Sequence, residues 1–133
     1  MATAYQDRIF SSPSPNIGDE PYFEAARQGK LAIKYCGDCN RYHHYPRALC
    51  PFCHSPKTEW RHSVGRGTIY TYSITRQSGP VPYAIAYVTL DEGPSMMTNI
   101  VDCDLDSIRI GQRVCVTFKS SDGGVDVPMF RPE

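Results

Sequence analysis

The chain has 133 residues, of which 41% are hydrophobic, with 14 basic and 14 acidic side chains, 11 prolines, 10 glycines and 6 cysteines. Domains average on the order of 100 to 150 residues, so the length excludes a large multidomain enzyme and allows one ordinary core. A formal net charge of zero gives no bulk attraction for nucleic acid or anionic lipid, which makes any anion site local.

The zero conceals a segregation. Up to His62 there are eight basic and six acidic residues, a net of +2, and the remainder carries six and eight, a net of −2. Between Lys30 and Arg66 seven basic residues meet only Asp38 and Glu59, and all four histidines (His43, His44, His54 and His62) fall in that segment. No stretch approaches the roughly 18 apolar residues of a membrane span, and Met1 to Phe10 lacks the layout of a secretory signal, so a soluble cytoplasmic protein is expected.

In chain order, Ser11-Ser12-Pro13-Ser14-Pro15-Asn16-Ile17-Gly18 disfavours helix and sheet and has little apolar surface, which predicts an extended or mobile arm. Asp19 to Gly29 opens with acidic residues and Pro21 and closes on glycine, with Tyr22 and Ala26 one turn apart, which predicts a short capped helix. Leu31 to Tyr35 reads as a strand. Thr68 to Thr75 is β-branched and aromatic, with Tyr70, Tyr72 and Ile74 expected on one packed face. Tyr83 to Leu90, the turn Asp91-Glu92-Gly93-Pro94 and Met96 to Val101 predict a hairpin. Val114, Val116 and Phe118 alternate with Arg113, Cys115 and Thr117 in a further strand, and Val125 to Phe130 adds a fifth. Short strands without intervening helices point to a small antiparallel barrel.

Cys36-Gly37-Asp38-Cys39 and Cys50-Pro51-Phe52-Cys53 are two C-x-x-C units ten residues apart. Two residues between cysteines allow a tight turn whose thiolates converge, and two facing turns make a tetrahedral four-sulfur site. Asn40 and His54, the residues after the pairs, are types that tolerate left-handed backbone. Zinc is the expected ion; iron in the same cage is the alternative. Four thiolates close the coordination sphere, so the expected role is structural, and the segment from Lys30 to Arg66 falls from +5 to about +3 when metallated.

Other chemistry-bearing residues have plainer readings. With four cysteines sufficient for an ion, His43 and His44 are expected as loop or surface residues. Cys103 and Cys115 lack paired spacing and are expected as small buried residues. Asp91 and Glu92, before Gly-Pro, read as a solvated turn. No Ser-His-Asp, phosphate-loop or dinucleotide signature is present, and disulfides are not expected.

Taken together, Pro21-Tyr22-Phe23-Glu24-Ala25-Ala26, the cysteine pairs with Tyr45-Pro46-Arg47 before the second, Gly65-Arg66-Gly67-Thr68-Ile69-Tyr70-Thr71-Tyr72, Pro82-Tyr83-Ala84-Ile85-Ala86, Leu90-Asp91-Glu92-Gly93 and Ile110-Gly111-Gln112-Arg113-Val114 resemble a known family. These are small acyl-CoA-associated proteins with an N-terminal rubredoxin-like zinc ribbon and an OB-fold. The resemblance implies a mainly β chain in three parts: arm and helix at 1–30, zinc ribbon at 31–62 and OB-fold domain at 63–133. It further implies an accessory subunit of a thiolase-superfamily complex, either an acyl-CoA thiolase or an acyltransferase. A thiolase-like or ketoacyl-synthase-like partner would carry the catalytic residues, and a CoA thioester would be the shared ligand. Arg47 and Arg66 match recurrent motif positions and are the candidate phosphate contacts.

A second reading is a zinc-ribbon and OB-fold nucleic-acid-binding protein, with Tyr70, Tyr72 and Tyr83 stacking bases; the net −2 of the barrel half opposes it. A third makes Cys103 or a histidine catalytic in the isolated chain.

Overall fold

The structure is a computed structural model that describes residues 3–77 and 79–133; Met1 and Ala2 of the expected arm lie outside the described residues. Helix α1 (Glu20–Arg27) carries Pro21 in its first turn, where a missing N–H costs nothing. It ends on Gly29 at φ 77°, and the amides of Gly29 and Lys30 reach back to the carbonyls of Ala26 and Ala25 at 3.0 and 2.9 Å. Its buried face is Tyr22, Ala25 and Ala26.

Three short strands follow: β1 (Ala32–Cys36), β2 (Tyr42–His43) and β3 (Thr58–His62), hydrogen-bonded in the order β2-β1-β3 with antiparallel pairing. Only β1 is legible in the sequence. A two-residue strand has no periodicity to read, and Thr58-Glu59-Trp60-Arg61-His62 carries no apolar alternation.

Strands β4 (Arg66–Thr75), β5 (Tyr83–Leu90), β6 (Ser95–Ile100), β7 (Arg113–Ser120) and β8 (Asp126–Pro132) close into a barrel ordered β4-β5-β6-β8-β7. The expected small antiparallel barrel is present, with one parallel seam where β6 and β8 meet at Ile100 and Phe130. A five-stranded Greek-key barrel needs such a seam, since the chain crosses the barrel end between β6 and β7 instead of returning by a hairpin. That crossing holds a short 3-10 turn, Leu105–Ser107. Gly67 permits the close approach of β4 to β5: a Cβ there would lie 2.6 Å from both the Thr89 carbonyl oxygen and Val88 Cγ1.

The expected shared face of Tyr70, Tyr72 and Ile74 is corrected. A β-bulge shifts the register between Ile69 and Thr71, so Ile69, Tyr72 and Ile74 pack on the core while Tyr70 is 69% exposed. One apolar cluster joins Tyr22 of α1 and Leu31 and Ile33 of the ribbon to Ile69, Val88, Ile100, Val114 and Phe130 of the barrel. Burial of each such large side chain contributes about 1.5–3 kcal/mol, so helix and ribbon are held by the same hydrophobic driving force as the barrel.

The N-terminal arm is extended but not free. The Tyr5 amide bonds the Cys103 carbonyl at 3.0 Å, Arg8 lies 4.1 Å over the Tyr83 ring, and Ser12 Oγ meets Ser121 Oγ at 2.6 Å and accepts the Gly123 amide at 2.9 Å. Backbone and hydroxyl hydrogen bonds, which composition does not report, strap it to the barrel. The acidic turn is likewise anchored. Asp91 makes a two-point ion pair with Arg113 at 2.8 and 2.9 Å, and Glu92 accepts Ser63 Oγ and the Val64 amide, each at 2.8 Å. Cys103 and Cys115 are half-buried, not core residues. No helix among the described residues is long and apolar enough to cross a membrane.

Candidate functional site

The four knuckle cysteines converge. Cys36 ends β1, Cys39 follows in the next turn, and Cys50 and Cys53 flank the turn that leads toward β3; all four Sγ atoms lie within 4.8 Å of one another. Cys36 Sγ is 3.6 Å from Cys53 Sγ, and Cys39 Sγ is 3.6 Å from Cys50 Sγ. A tetrahedral zinc ion with Zn–S bonds of about 2.3 Å has S···S edges of about 3.8 Å, so the cage is sized for it.

Local backbone explains the convergence. Asn40 and His54 adopt φ 59° and 65°, and their amides close the turns on the carbonyls of Cys36 and Cys50 at 2.9 and 2.8 Å. The amides of Cys39 and Phe52 point at the sulfurs of Cys36 and Cys50, at 3.5 and 3.4 Å. These N–H groups favour thiolate. The Cys39 amide, ahead of opposing burial, brings the Cys36 thiol below its ordinary value. At Cys50 burial acts upward, yet the amides of Cys53 and Phe52 outweigh it and leave the thiol at about 7. Cys39, burdened by burial and by its three sulfur neighbours, is pushed up to about 12. Four thiolates this close need a cation, and a divalent ion that prefers sulfur fits the donor set.

Beside the cage lie two adjacent histidines with different surroundings. His43, expected in a loop or at the surface, is 2% exposed because β2 carries it onto β1 opposite Lys34, whereas His44 does lie in the loop after β2, where it packs half-buried against Tyr22 of α1. His43 Nε2 accepts the Arg47 amide at 3.2 Å, which leaves the ring proton on Nδ1, a buried atom without a partner among the described residues. His44 Nε2 meets the Tyr22 hydroxyl at 3.0 Å, and burial drives its pKa down to about 4, so the ring is neutral. Tyr45 donates to buried Asp19 at 2.9 Å.

The two candidate phosphate contacts differ in company. Arg66 lies 3.8 Å from the Glu133 carboxylate. Arg47 has no carboxylate within ion-pair distance among the described residues and lines a cavity with Lys34, which in the sequence is one basic side chain among many. Its signal was its place in β1, two residues before the first ligand.

Residues 23–59 match the family model described as the ChsH2 rubredoxin-like zinc ribbon domain, and residues 60–119 match that of the ChsH2 C-terminal OB-fold domain. A DUF35 domain-containing scaffold protein of Methanothermobacter thermautotrophicus is 36% identical over 90 residues, which span 63% of this chain and 68% of that protein. The chain belongs to the DUF35 family. A second DUF35 scaffold protein, from Methanocaldococcus jannaschii, is 33% identical over 91 residues, 63% of this chain and 64% of that one. A probable enoyl-CoA hydratase alpha subunit of Thermomonospora curvata is 33% identical over 124 residues; these are 90% of this chain but only 39% of the longer relative. Among solved structures, the DUF35 chain of an Ltp2-ChsH2 aldolase superposes with a TM-score of 0.78 at 33% identity, covering 91% of this chain and 98% of that one. A DUF35 protein of unknown function from Sulfolobus solfataricus has the same fold, with a TM-score of 0.63 at 16% identity over 86% of this chain and 84% of that one.

Proposed function

We propose that this DUF35 chain is a non-catalytic accessory subunit of a thiolase-superfamily complex, an acyl-CoA thiolase or acyltransferase, that docks to the catalytic subunit and helps form its acyl-CoA site. The observation that carries the reading is the likeness, along nine-tenths of the chain, to the DUF35 chain of a two-component aldolase. Relatives named as scaffold proteins and as a subunit of an enoyl-CoA hydratase support the same class of role. The zinc cage, with all four positions taken by sulfur, supplies rigidity in this reading and leaves no coordination site for substrate.

The side chains agree with a supporting role. Burial raises the Cys103 thiol, which makes it a poor nucleophile, and His44 is spent on Tyr22. The nucleic-acid reading loses ground in the barrel, where Arg66, Arg76, Arg113 and Lys119 are all paired with carboxylates. A backbone-binding groove needs those charges free.

Coexpression with the thiolase-like or ketoacyl-synthase-like protein encoded nearest to it, followed by size-exclusion chromatography and an acyl-CoA assay, tests the proposal. Co-elution, with activity that depends on both chains, is the expected result. Separate elution from every such partner, with partner activity indifferent to this chain, overturns it.

A further inference from the structure

The basic segment noted in the sequence gathers at one polar junction on the ribbon face that also carries His43. Lys34 Nζ bonds Thr58 Oγ1 at 3.3 Å and lies 4.7 Å from the Trp60 ring centroid. The same Thr58 hydroxyl donates to the Ala48 carbonyl at 3.0 Å, which ties Lys34 to the residue after Arg47. The Arg47 backbone is pinned from below by His43. Lys34 and Arg47 therefore converge on one cavity of about 110 Å³, whose opposite wall is Gly18 and Asp19 at the start of α1. That volume is several times the roughly 10–15 Å³ a single water needs.

Two cations without a carboxylate in ion-pair range among the described residues, held at a cavity, make a site that wants an anion. Asp19 works against this, but the residue is only 5% exposed and its carboxylate already accepts the Asn16 amide and the Tyr45 hydroxyl. The lining keeps a net charge of +1. Arginine supplies a planar fork for oxyanions and lysine a compact point charge, the combination suited to phosphate.

We propose that the cleft between β1, the Pro46–Ala48 segment and the start of α1 binds a phosphate-type oxyanion through Lys34 and Arg47, and that this is where a phosphate of a CoA-type ligand sits. The last clause rests on the function proposed above; the anion site itself does not. Lys34 is the specific addition, and Arg66, engaged with Glu133, is left outside the site.

The test uses the full zinc-loaded chain, without a partner, followed by amide NMR and calorimetry. CoA, inorganic phosphate and pantetheine, which lacks phosphate, are titrated separately. CoA and phosphate are expected to shift the amides of Gly18, Lys34, Arg47 and Ala48, weakening as salt rises, whereas pantetheine leaves them unmoved. Lys34→Gln and Arg47→Gln are each expected to weaken CoA binding about tenfold. Lys34→Arg and Arg47→Lys retain most of it, and Arg109→Gln, an equal loss of charge on the barrel, leaves it unchanged. Melting temperature and zinc content of each variant separate lost binding from lost folding. Phosphate shifts without CoA shifts would keep the anion site and remove its assignment to CoA. No shift at the cleft with millimolar phosphate or CoA, or equal effects of Arg109→Gln and Arg47→Gln, overturns the proposal. Neither result depends on whether a thiolase-like partner is found.

Discussion

Asn40 and His54 stand at equivalent points of two loops: each follows the second cysteine of its pair, at φ 59° and 65°, and each sends its amide to the carbonyl of the first cysteine. A β-branched side chain is strongly disfavoured in that conformation, by about 1–2 kcal/mol per residue. Asn40→Val and His54→Val are therefore expected to lower the stability of the zinc-loaded protein by that amount, whereas Asn40→Gly and His54→Gly stay close to wild type. Thermal melts of the four variants decide it. Equal melting temperatures for the valine and glycine variants would remove the backbone argument.

Metal removal should act on the ribbon far more than any single loop substitution. Cys36 and Cys50 are fully buried, and structural zinc sites contribute on the order of 10–16 kcal/mol of apparent binding energy at neutral pH. Chelation, or Cys50→Ser, is expected to abolish amide dispersion for β1 to β3 first, and to loosen the barrel because Leu31 and Ile33 share its core. Elemental analysis of protein purified without added metal should return zinc at about one ion per chain, the capacity of one tetrahedral four-cysteine site. A chelated protein with an unchanged spectrum would refute the structural role.

Gly67 offers a sharper test of the barrel. The Cβ of an alanine would lie 2.6 Å from a carbonyl oxygen on β5, a rigid neighbour that cannot step aside cheaply. Gly67→Ala is expected to cost about 1–3 kcal/mol through strand displacement, read as a lower urea midpoint at constant slope. Gly93→Ala is a useful contrast: Gly93 has a positive φ of 120°, which Gly67 does not, but no described atom lies within 4 Å of the added carbon. Its cost is limited to backbone strain.

What could be read from the sequence follows from the range of the interactions involved. The cysteine pairs, α1 and the barrel strands are written in local spacing, so their existence was legible, as was the left-handed backbone at Asn40 and His54. What was not legible depends on contacts distant in sequence. Tyr70 carries the same residue type and parity as Tyr72, and only the bulge opposite Val88 turns it outward. His43 looks like a loop residue until Lys34, nine positions earlier, is found beside it on a paired strand. Ser12 reads as linker composition until Ser121 and Gly123 meet it across the barrel end. The cleft of Lys34 and Arg47 was hidden for the same reason, since Thr58, which links the two, lies ten residues beyond Ala48.

His44 makes stability depend on pH in a definite direction. Its folded pKa is about 4, against an ordinary value of 6.5, because burial penalises the charged ring. Above pH 6.5 the ring is neutral in both states and contributes no slope. Between 6.5 and about 4 the unfolded chain takes up a proton that the folded chain refuses, so stability falls as pH falls, by about 1.4 kcal/mol per unit. His43, also lowered by burial, acts in the same sense. Asp7 and Asp91, held low by Lys119 and Arg113, lose their contribution only at still more acid pH. Urea melts of zinc-saturated protein at pH 7.5 and 5.5 should therefore show wild type losing about 1 kcal/mol more than His44→Gln. The glutamine keeps an acceptor for Tyr22 but does not titrate. A glutamine variant with the same pH slope as wild type would assign the acid sensitivity elsewhere, to His43 or to the cysteine cage.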